Sequence, residues 1–388
     1  VGLTALSIIY PIQLLMVALA TGTGAGVNIL ISRLDGLGRS KEQHQVIKSG
    51  LLLTLFHFLI FAVAGTMLAE FYFQISTDNL AVAKDGIIYT KIIFIGSLGL
   101  FVESICTKIL QARGNMVIPM IAQITGSLLN IILDLFLIFG LTGFPELGIA
   151  GAAIATVIGQ WAAMFITLIA VIRKYSLRGR FQISVCKQIY QNGIGSIVTQ
   201  SLFTLYIVGL NMILKGFTED AVTVLGIYYK IQSFFFIPLL GFQQVLLPLI
   251  SYNYGAGKIS RTKDILKFAS IVSCCIMTVA TMIFFAFPHL LIAIFSTSPA
   301  LLNIGSYALR VISISFIFAG LTIVITSYLQ GIARMQASIF IIVLRQVFLL
   351  VPLAWVLHFW GLNAVWWTFP LTEVIACVAG IICVKMFR

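Results

Sequence analysis

The stretch Ser127-Leu-Leu-Asn130-Ile-Ile-Leu-Asp134-Leu-Phe-Leu-Ile138 decides the fold, because it places a carboxyl group inside a long apolar run. The surrounding segment 118–139 is long enough to cross a lipid bilayer as a helix. An ionised aspartate near the centre of such a helix costs ~2.5–3.5 kcal/mol, so it normally faces a cavity, a partner or a proton path. Asn130 precedes Asp134 by about one helical turn, so both side chains lie on the same face of the helix.

Two interpretations of Asp134 follow from this placement. In the first, the carboxyl group takes up and releases a proton as part of a function. In the second, it stays protonated, forms a hydrogen bond with Asn130 and serves only the packing of the helix.

Composition identifies a polytopic α-helical membrane protein. The 388 residues are 60% hydrophobic and 9% charged, with a mean hydropathy of +1.08, whereas soluble domains are about 25% charged. The net charge of +12 would suggest nucleic acid as the partner of a soluble protein. Here the partner is the lipid bilayer, we expect no nucleic acid, and the placement of the basic residues matters instead. The six cysteines show no metal-binding or disulfide spacing.

Hydropathy, interrupted at glycines, prolines and charge clusters, predicts eleven membrane-spanning helices. Their approximate bounds are 11–32, 46–69, 92–110, 118–139, 149–172, 190–214, 231–252, 265–287, 311–329, 337–357 and 362–385. Most basic residues, with Arg345 counted among them, fall on one side of the predicted membrane. The positive-inside rule makes that side cytoplasmic and places the C-terminus there.

The chain contains two tandem copies of one helical unit. Tyr10-Pro-Ile12-Gln13 recurs as Tyr229-Lys-Ile231-Gln232, and Gly36-Leu-Gly38 recurs as Gly255-Ala-Gly257, both at a spacing of 219 residues. Closer to the C-terminus the spacing becomes 213 residues. Matching loops fall on the same side, so the copies are predicted to be parallel, and each should hold an even number of helices.

The second copy has six predicted helices and the first has five, so we expect the first helix of the N-terminal lobe to be missing. The alternative, a true eleven-helix protein with its N-terminus outside, breaks the repeat. The predicted organisation is an N-terminal lobe over residues 1–175, a cytoplasmic linker over 176–188 and a C-terminal lobe over 189–388.

Polar residues inside the predicted spans are candidates to line a substrate cavity. They are Gln13, Gln160, Gln200, Gln232, Glu373 and Glu103. Gln13 and Gln232 are repeat partners, as are Gln160 and Glu373, so each pair is expected to face a central cleft. For Glu103 the alternative is a structural pair with Lys108 near the cytoplasmic interface.

The sequence carries no enzyme signature. The four histidines are scattered, and neither an HExxH helix, a GxSxG elbow nor a Walker motif is present. We therefore predict neither catalysis nor a cofactor or metal. Energy for transport would come from an ion gradient, since one charge crossing the membrane field yields ~2.3 kcal/mol per 100 mV.

Three motifs together resemble those of the MATE (multidrug and toxin extrusion) transporters of bacteria. They are Ile31-Ser-Arg-Leu-Asp-Gly-Leu-Gly-Arg39, Leu110-Gln-Ala-Arg-Gly-Asn115 and Leu128-Leu-Asn-Ile-Ile-Leu-Asp134. The resemblance covers almost the whole chain. It implies a V-shaped exporter of two six-helix lobes in the bacterial cytoplasmic membrane, which exchanges protons or sodium ions for small amphiphilic organic cations.

The same resemblance implies a cation-coupling site. In proton-coupled members, an Asn and an Asp one turn apart in the fifth helix join an Asp of the first helix, and Asn130 and Asp134 fit that pattern. Thr156 is the match for a threonine that often joins them from the sixth helix. The acids that bind sodium in the second lobe of some relatives are not evident, so proton coupling is favoured.

The leading hypothesis is therefore a monomeric, proton-coupled multidrug exporter. The first alternative is a flippase for lipid-linked oligosaccharides of the same superfamily, which would need basic residues for a pyrophosphate. The second is a membrane fragment that transports nothing.

Overall fold

The computed structural model describes residues 2–140, 145–176 and 179–386, and all regular elements in these ranges are helices. The helices of the first part are α1 (Gly2–Gly36), α2 (Ser40–Ser76), α3 (Leu80–Gly96), α4 (Leu98–Ala112), α5 (Val117–Phe139), α6 (Gly148–Lys174) and α7 (Ile183–Lys215). Helices satisfy their own backbone hydrogen bonds, which is what an apolar chain in lipid requires.

The second part continues with helices of more varied length. They are α8 (Glu219–Gly255), α9 (Ile259–Ala286), α10 (Pro288–Ala293), α11 (Pro299–Ser313), α12 (Phe316–Gly331), α13 (Met335–Val343), α14 (Leu350–Leu357), α15 (Leu362–Val365) and α16 (Thr368–Met386). A π-helical turn, Leu344–Leu349, joins α13 to α14, and a 3₁₀ turn, His358–Trp360, follows α14.

The helices agree with the predicted number of membrane spans. Within the described ranges, nine helical segments are long and apolar enough to cross a bilayer, or up to eleven if each of two bent pairs is one span. The bent pairs are α3 with α4, at 42°, and α11 with α12, at 45°. The chain is therefore a multi-pass membrane protein, and each predicted span falls on one of these segments or pairs.

The predicted span 92–110 is wrong in its bounds. The structure begins α3 at Leu80 and breaks the helix at Ser97 before α4. Lys84, Asp85 and Lys91 made the first part of α3 too polar for a hydropathy window, although α3 is helical throughout. Asn79 caps α3 by accepting hydrogen bonds from the backbone N–H groups of two residues in its first turn.

The two copies of the repeat share their unusual backbone turns. Gly38 and Gly257, 219 residues apart, have positive φ angles of 71° and 69°. Gly114 has a φ of 76°, and its counterpart Ala333 has a φ of 63° despite its side chain. The bends after α3 and after α11 also fall close to equivalent positions. The backbone therefore confirms the tandem repeat.

The chain divides into two compact units, Val1–Ile197 and Val198–Arg388. The division lies within the continuous helix α7, whereas the sequence placed a linker at 176–188. Residues from Ile183 onward already belong to that helix. The lobe boundaries proposed from the sequence thus stay a prediction.

Each unit has its own apolar core, and α7 contributes to both. In the first unit, Ile189 is fully buried in the core around α1, α2 and α4. Gly193 also lies so close to Gly22 that an added Cβ would stand 2.1 Å from the Gly22 carbonyl oxygen. In the second unit, Leu210 and Leu214 belong to the core around α8 and α11.

Candidate functional site

The first unit contains a cavity of about 320 Å³ among α1, α4, α5 and α6. Its polar lining consists of Thr21, Glu103, Ser104, Gln123, Ser127, Asn130, Thr156 and Gln160. Among the described residues that line it, Glu103 is the only charged one. A cavity of this size and polarity fits a small organic ligand that carries a positive charge.

A close helix crossing places the cavity and its polar side chains. Gly126 of α5 faces Gly159 of α6, and a Cβ added at Gly159 would stand 2.6 Å from the Gly126 carbonyl oxygen. Small residues let two helices approach in this way. One turn beyond the crossing, the Asn130 Nδ2 donates to the Thr156 Oγ1 at 3.4 Å. The structure thus brings together two of the three residues of the predicted coupling site.

The third residue, Asp134, lies one turn further along α5, outside the lining of the cavity. Its Oδ1 atom is buried and accepts no hydrogen bond from any described residue. Asp134 lies within electrostatic range of Tyr89 on α3, and the Tyr89 hydroxyl accepts a hydrogen bond from the Gln13 Nε2 at 3.3 Å. Gln13, predicted to face a central cleft, therefore lies on the α3 side of Asp134.

Glu103 faces the cavity from α4. Its Oε1 accepts a hydrogen bond from the Thr107 Oγ1 at 2.7 Å. Lys108 lies within electrostatic range, and its Nζ donates to the Gln111 Oε1 at 3.0 Å. Gln160 lines the same cavity from α6. The structure therefore places both of these predicted residues in one cavity.

Glu373 lies elsewhere, in a buried ion pair of the second unit. Arg345 donates to its Oε1 through Nε and Nη2, both at 2.6 Å, and the Glu373 side chain is 4% exposed. The counting of Arg345 with the cytoplasmic basic residues was wrong, since Arg345 lies in the π-helical turn of an apolar span. A charged side chain at this depth needs a partner, and Glu373 on α16 supplies it.

The remaining predicted residues are not among those that line the cavity. Gln200 on α7 is exposed and Gln232 on α8 is half-buried, both in the second unit. Sequence reasoning missed that Tyr89 lies within electrostatic range of Asp134, because an isolated tyrosine in an apolar helix gives no signal of such an interaction. The partnership of Arg345 and Glu373 had a signal, namely two opposite charges inside adjacent apolar runs.

Comparison with known proteins identifies the relatives of this chain. A protein of Staphylococcus saprophyticus named multidrug export protein MepA is 26% identical over 399 residues, which cover 100% of this chain and 86% of that protein. A protein of Shewanella oneidensis named FAD transporter is 27% identical over 364 residues, covering 91% of this chain and 79% of that protein.

Solved structures show the same fold. The Vibrio cholerae MATE transporter VcmN superposes with a TM-score of 0.91 at 20% identity, covering 98% of this chain and 87% of the other. The family model described as MatE matches residues 1–136 and again residues 196–356, so each half of the chain carries one copy of the family unit. The chain belongs to the MatE family of membrane transporters.

Proposed function

We propose that this transporter exports amphiphilic organic cations in exchange for protons. The observation that carries the proposal is the position of Asp134. One of its carboxylate oxygens is buried and has no hydrogen-bond partner among the described residues, and it lies one turn from the hydrogen bond between Asn130 and Thr156. The naming of the Staphylococcus saprophyticus relative as a multidrug export protein supports the same class of cargo.

The cargo site in this proposal is the cavity of the first unit. Glu103 supplies the negative charge for a cationic ligand, and Gln123 and Gln160 supply polar contacts at the wall. Apolar residues such as Leu100 and Ala163 hold the hydrophobic part of the ligand. A wall with this charge also argues against a lipid pyrophosphate, which needs basic partners.

The coupling step is the protonation of Asp134. An ionised Asp134 requires a polar environment around α5, and the Tyr89 hydroxyl lies within electrostatic range of its carboxylate. A proton that arrives from outside removes this requirement. Helix α5 then repacks against α6 at the Gly126–Gly159 crossing and weakens the hold of the cavity on the cation. The cation leaves outward, and the proton is released to the cytoplasm.

The orientation and assembly form part of the same proposal. The C-terminus lies in the cytoplasm, on the side that collects the basic ends of the helices, and one chain transports alone without a cofactor. A protease-sensitive tag after Arg388 should be cleaved in inside-out vesicles and protected in intact cells. The reverse pattern would contradict the orientation.

The test is efflux of ethidium, a planar organic cation, from proteoliposomes with an imposed pH gradient. Asp134→Asn should abolish efflux driven by the pH gradient, because the side chain can no longer ionise, while ethidium binding is retained. Asp264→Asn, at an exposed carboxyl group on α9, is the matched control and should transport as the wild type does.

Two other outcomes separate the parts of the proposal. If Asp134→Asn transports normally and a sodium gradient drives the wild type, proton coupling is wrong and cation export stands. If the wild type moves flavin adenine dinucleotide instead of ethidium, the cargo class is wrong, and the relationship to the Shewanella oneidensis protein gives the better description.

A further inference from the structure

A groove in the second unit has the chemistry of a lipid site. It measures about 220 Å³ and runs along α12, which packs against both α9 and α16. Leu321 and Ile325 of α12 form its floor, Leu266 of α9 forms one wall, and Ile381 and Val384 of α16 form the other. An apolar groove of this kind accommodates hydrocarbon rather than a polar solute.

Positive charge surrounds one end of this groove. Lys385 lines it directly. Lys263 precedes Leu266 by three residues on α9, so its side chain lies on the same face, one turn closer to the start of the helix. Lys267, also exposed, follows Leu266. Among the described residues, none of these three ammonium groups has a hydrogen-bond or ion-pair partner.

The corresponding positions of the first unit carry different residues. Under the repeat spacing, Ser270, which lines the groove from α9, corresponds to Leu51, and Leu51 packs against the core of the first unit. Lys385 corresponds to Ile172. At the same surface the second copy therefore has a smaller polar residue in place of a leucine and a lysine in place of an isoleucine.

We propose that this groove binds an anionic phospholipid, with one acyl chain along α12 and the headgroup phosphate between Lys385 and Lys263. Helices α9 and α16 each reach the headgroup region at this end of the unit, where α9 begins and α16 ends. Basic residues at the ends of membrane helices attract anionic lipid. The apolar walls favour a lipid over free phosphate, and the lysines favour an anionic headgroup.

The test is native mass spectrometry of the full-length protein, delipidated and then titrated with phosphatidylglycerol or with phosphatidylcholine of the same acyl chains. We expect the protein to retain phosphatidylglycerol at a tighter dissociation constant than phosphatidylcholine. Lys385→Ala should weaken phosphatidylglycerol binding about fivefold and leave phosphatidylcholine unchanged, since one surface lysine contributes about that factor. Lys48→Ala, at a basic residue of the first unit, is the charge-matched control.

A second variant tests the groove itself. Ser270→Leu restores the residue of the first copy and should weaken binding of both lipids by occupying the space of the acyl chain, while net charge is unchanged. The proposal is overturned if Ser270→Leu binds phosphatidylglycerol as the wild type does, or if Lys48→Ala weakens binding as much as Lys385→Ala. The first result would mean that no groove is used, and the second that diffuse charge alone holds the lipid.

Discussion

The same helix crossing contains glycines in one copy of the repeat and charged residues in the other. In the first copy, Gly126 of α5 meets Gly159 of α6 and the two backbones touch. In the second copy, the residue equivalent to Gly126 is Arg345, and it pairs with Glu373, the equivalent of Gln160. The crossing in the first copy is therefore a close approach of two backbones, and the crossing in the second copy contains an ion pair.

This difference separates the roles of the two copies. Because backbone contact holds the first crossing, the polar side chains around it, such as Asn130, Thr156 and Gln160, remain available to face a cavity. In the second crossing the charged groups neutralise each other, and Leu349 and Leu353 stand where the first copy has Asn130 and Asp134. At these two positions the first copy therefore has polar residues and the second copy has apolar ones.

The largest effect is expected from breaking the ion pair. Glu373→Ala leaves the guanidinium of Arg345 buried without its partner, so it should lower the free energy of unfolding by ~3–5 kcal/mol. Titration with sodium dodecyl sulfate in mixed micelles measures this loss. The double variant Arg345→Met with Glu373→Leu should recover most of it, because an apolar pair of similar volume replaces two charges.

The matched control for this prediction is an exposed pair. Arg39 and Glu42 form a salt bridge with side chains that are 57% and 42% exposed, and such pairs contribute little because water screens them. Glu42→Ala should therefore leave the unfolding transition nearly unchanged. If Glu373→Ala and Glu42→Ala lower the free energy of unfolding equally, the Arg345 guanidinium is hydrated in the variant, and the ion pair does not stabilise the second crossing.

The glycine crossing should show a smaller loss of stability. Gly159→Ala introduces a Cβ 2.6 Å from the Gly126 carbonyl oxygen, so α5 and α6 must separate, at a cost of ~1–3 kcal/mol. Gly241→Ala, in the middle of α8 with no atom within 4 Å of the new Cβ, should instead raise helix stability slightly. If Gly159→Ala leaves both the free energy of unfolding and the distance between spin labels on α5 and α6 unchanged, the two backbones are not in contact at the crossing.

The ends of α1 and α4 offer a second contrast between the copies. In the first copy, Arg113 lies 3.3 Å from the Asp35 carboxylate, and Gln43 donates to the same Asp35 Oδ1 at 3.1 Å. In the second copy, the equivalents of Asp35 and Arg113 are Tyr254 and Ile332, which belong to an apolar cluster.

Removing the charge of Asp35 in the first copy should have a modest effect on stability. Asp35→Asn removes the negative charge from a half-buried ion pair and should lower the free energy of unfolding by ~1 kcal/mol. Added salt screens the pair in the wild type, so the difference in stability between wild type and variant should become smaller as the salt concentration rises. Tyr254→Phe, at the equivalent position, should show no dependence on salt. The same salt dependence in both variants would mean that the ionic cluster does not distinguish the copies.

The smallest effect concerns one backbone angle. Ala333 holds a φ of +63° where its repeat partner Gly114 holds +76°, and a side chain disfavours this left-handed conformation by ~1–2 kcal/mol. Ala333→Gly should relieve part of that strain and stabilise the second unit by ~0.5–1 kcal/mol, while Gly114→Ala should destabilise the first. If Ala333→Gly is destabilising, the side chain packs well enough to outweigh the backbone strain.

Apolar runs and repeat spacing predicted much of the fold, because a chain in lipid must be helical wherever it is apolar. The bend at Ser97 was not predicted, although Gly96 and Gly99 flank it and glycine–serine pairs are common sites of helix kinks. Hydropathy also did not register the first turns of α3, because they are polar. Asn130 and Thr156 were placed in one site by the resemblance to MATE transporters. Their hydrogen bond depends on the close approach of α5 and α6 at Gly126 and Gly159. The electrostatic interaction of Asp134 with Tyr89, by contrast, depends on how α3 packs, which no local pattern encodes.

Helix α7 has a consequence for how this protein is made. Its first half completes the core of the first unit with Ile189 and Gly193, and its second half supplies Leu210 and Leu214 to the second. A ribosome must therefore synthesise beyond residue 193 before the first unit can close around Gly22. Because α7 is one continuous helix, the segment that completes the first unit enters the membrane together with the segment that begins the second.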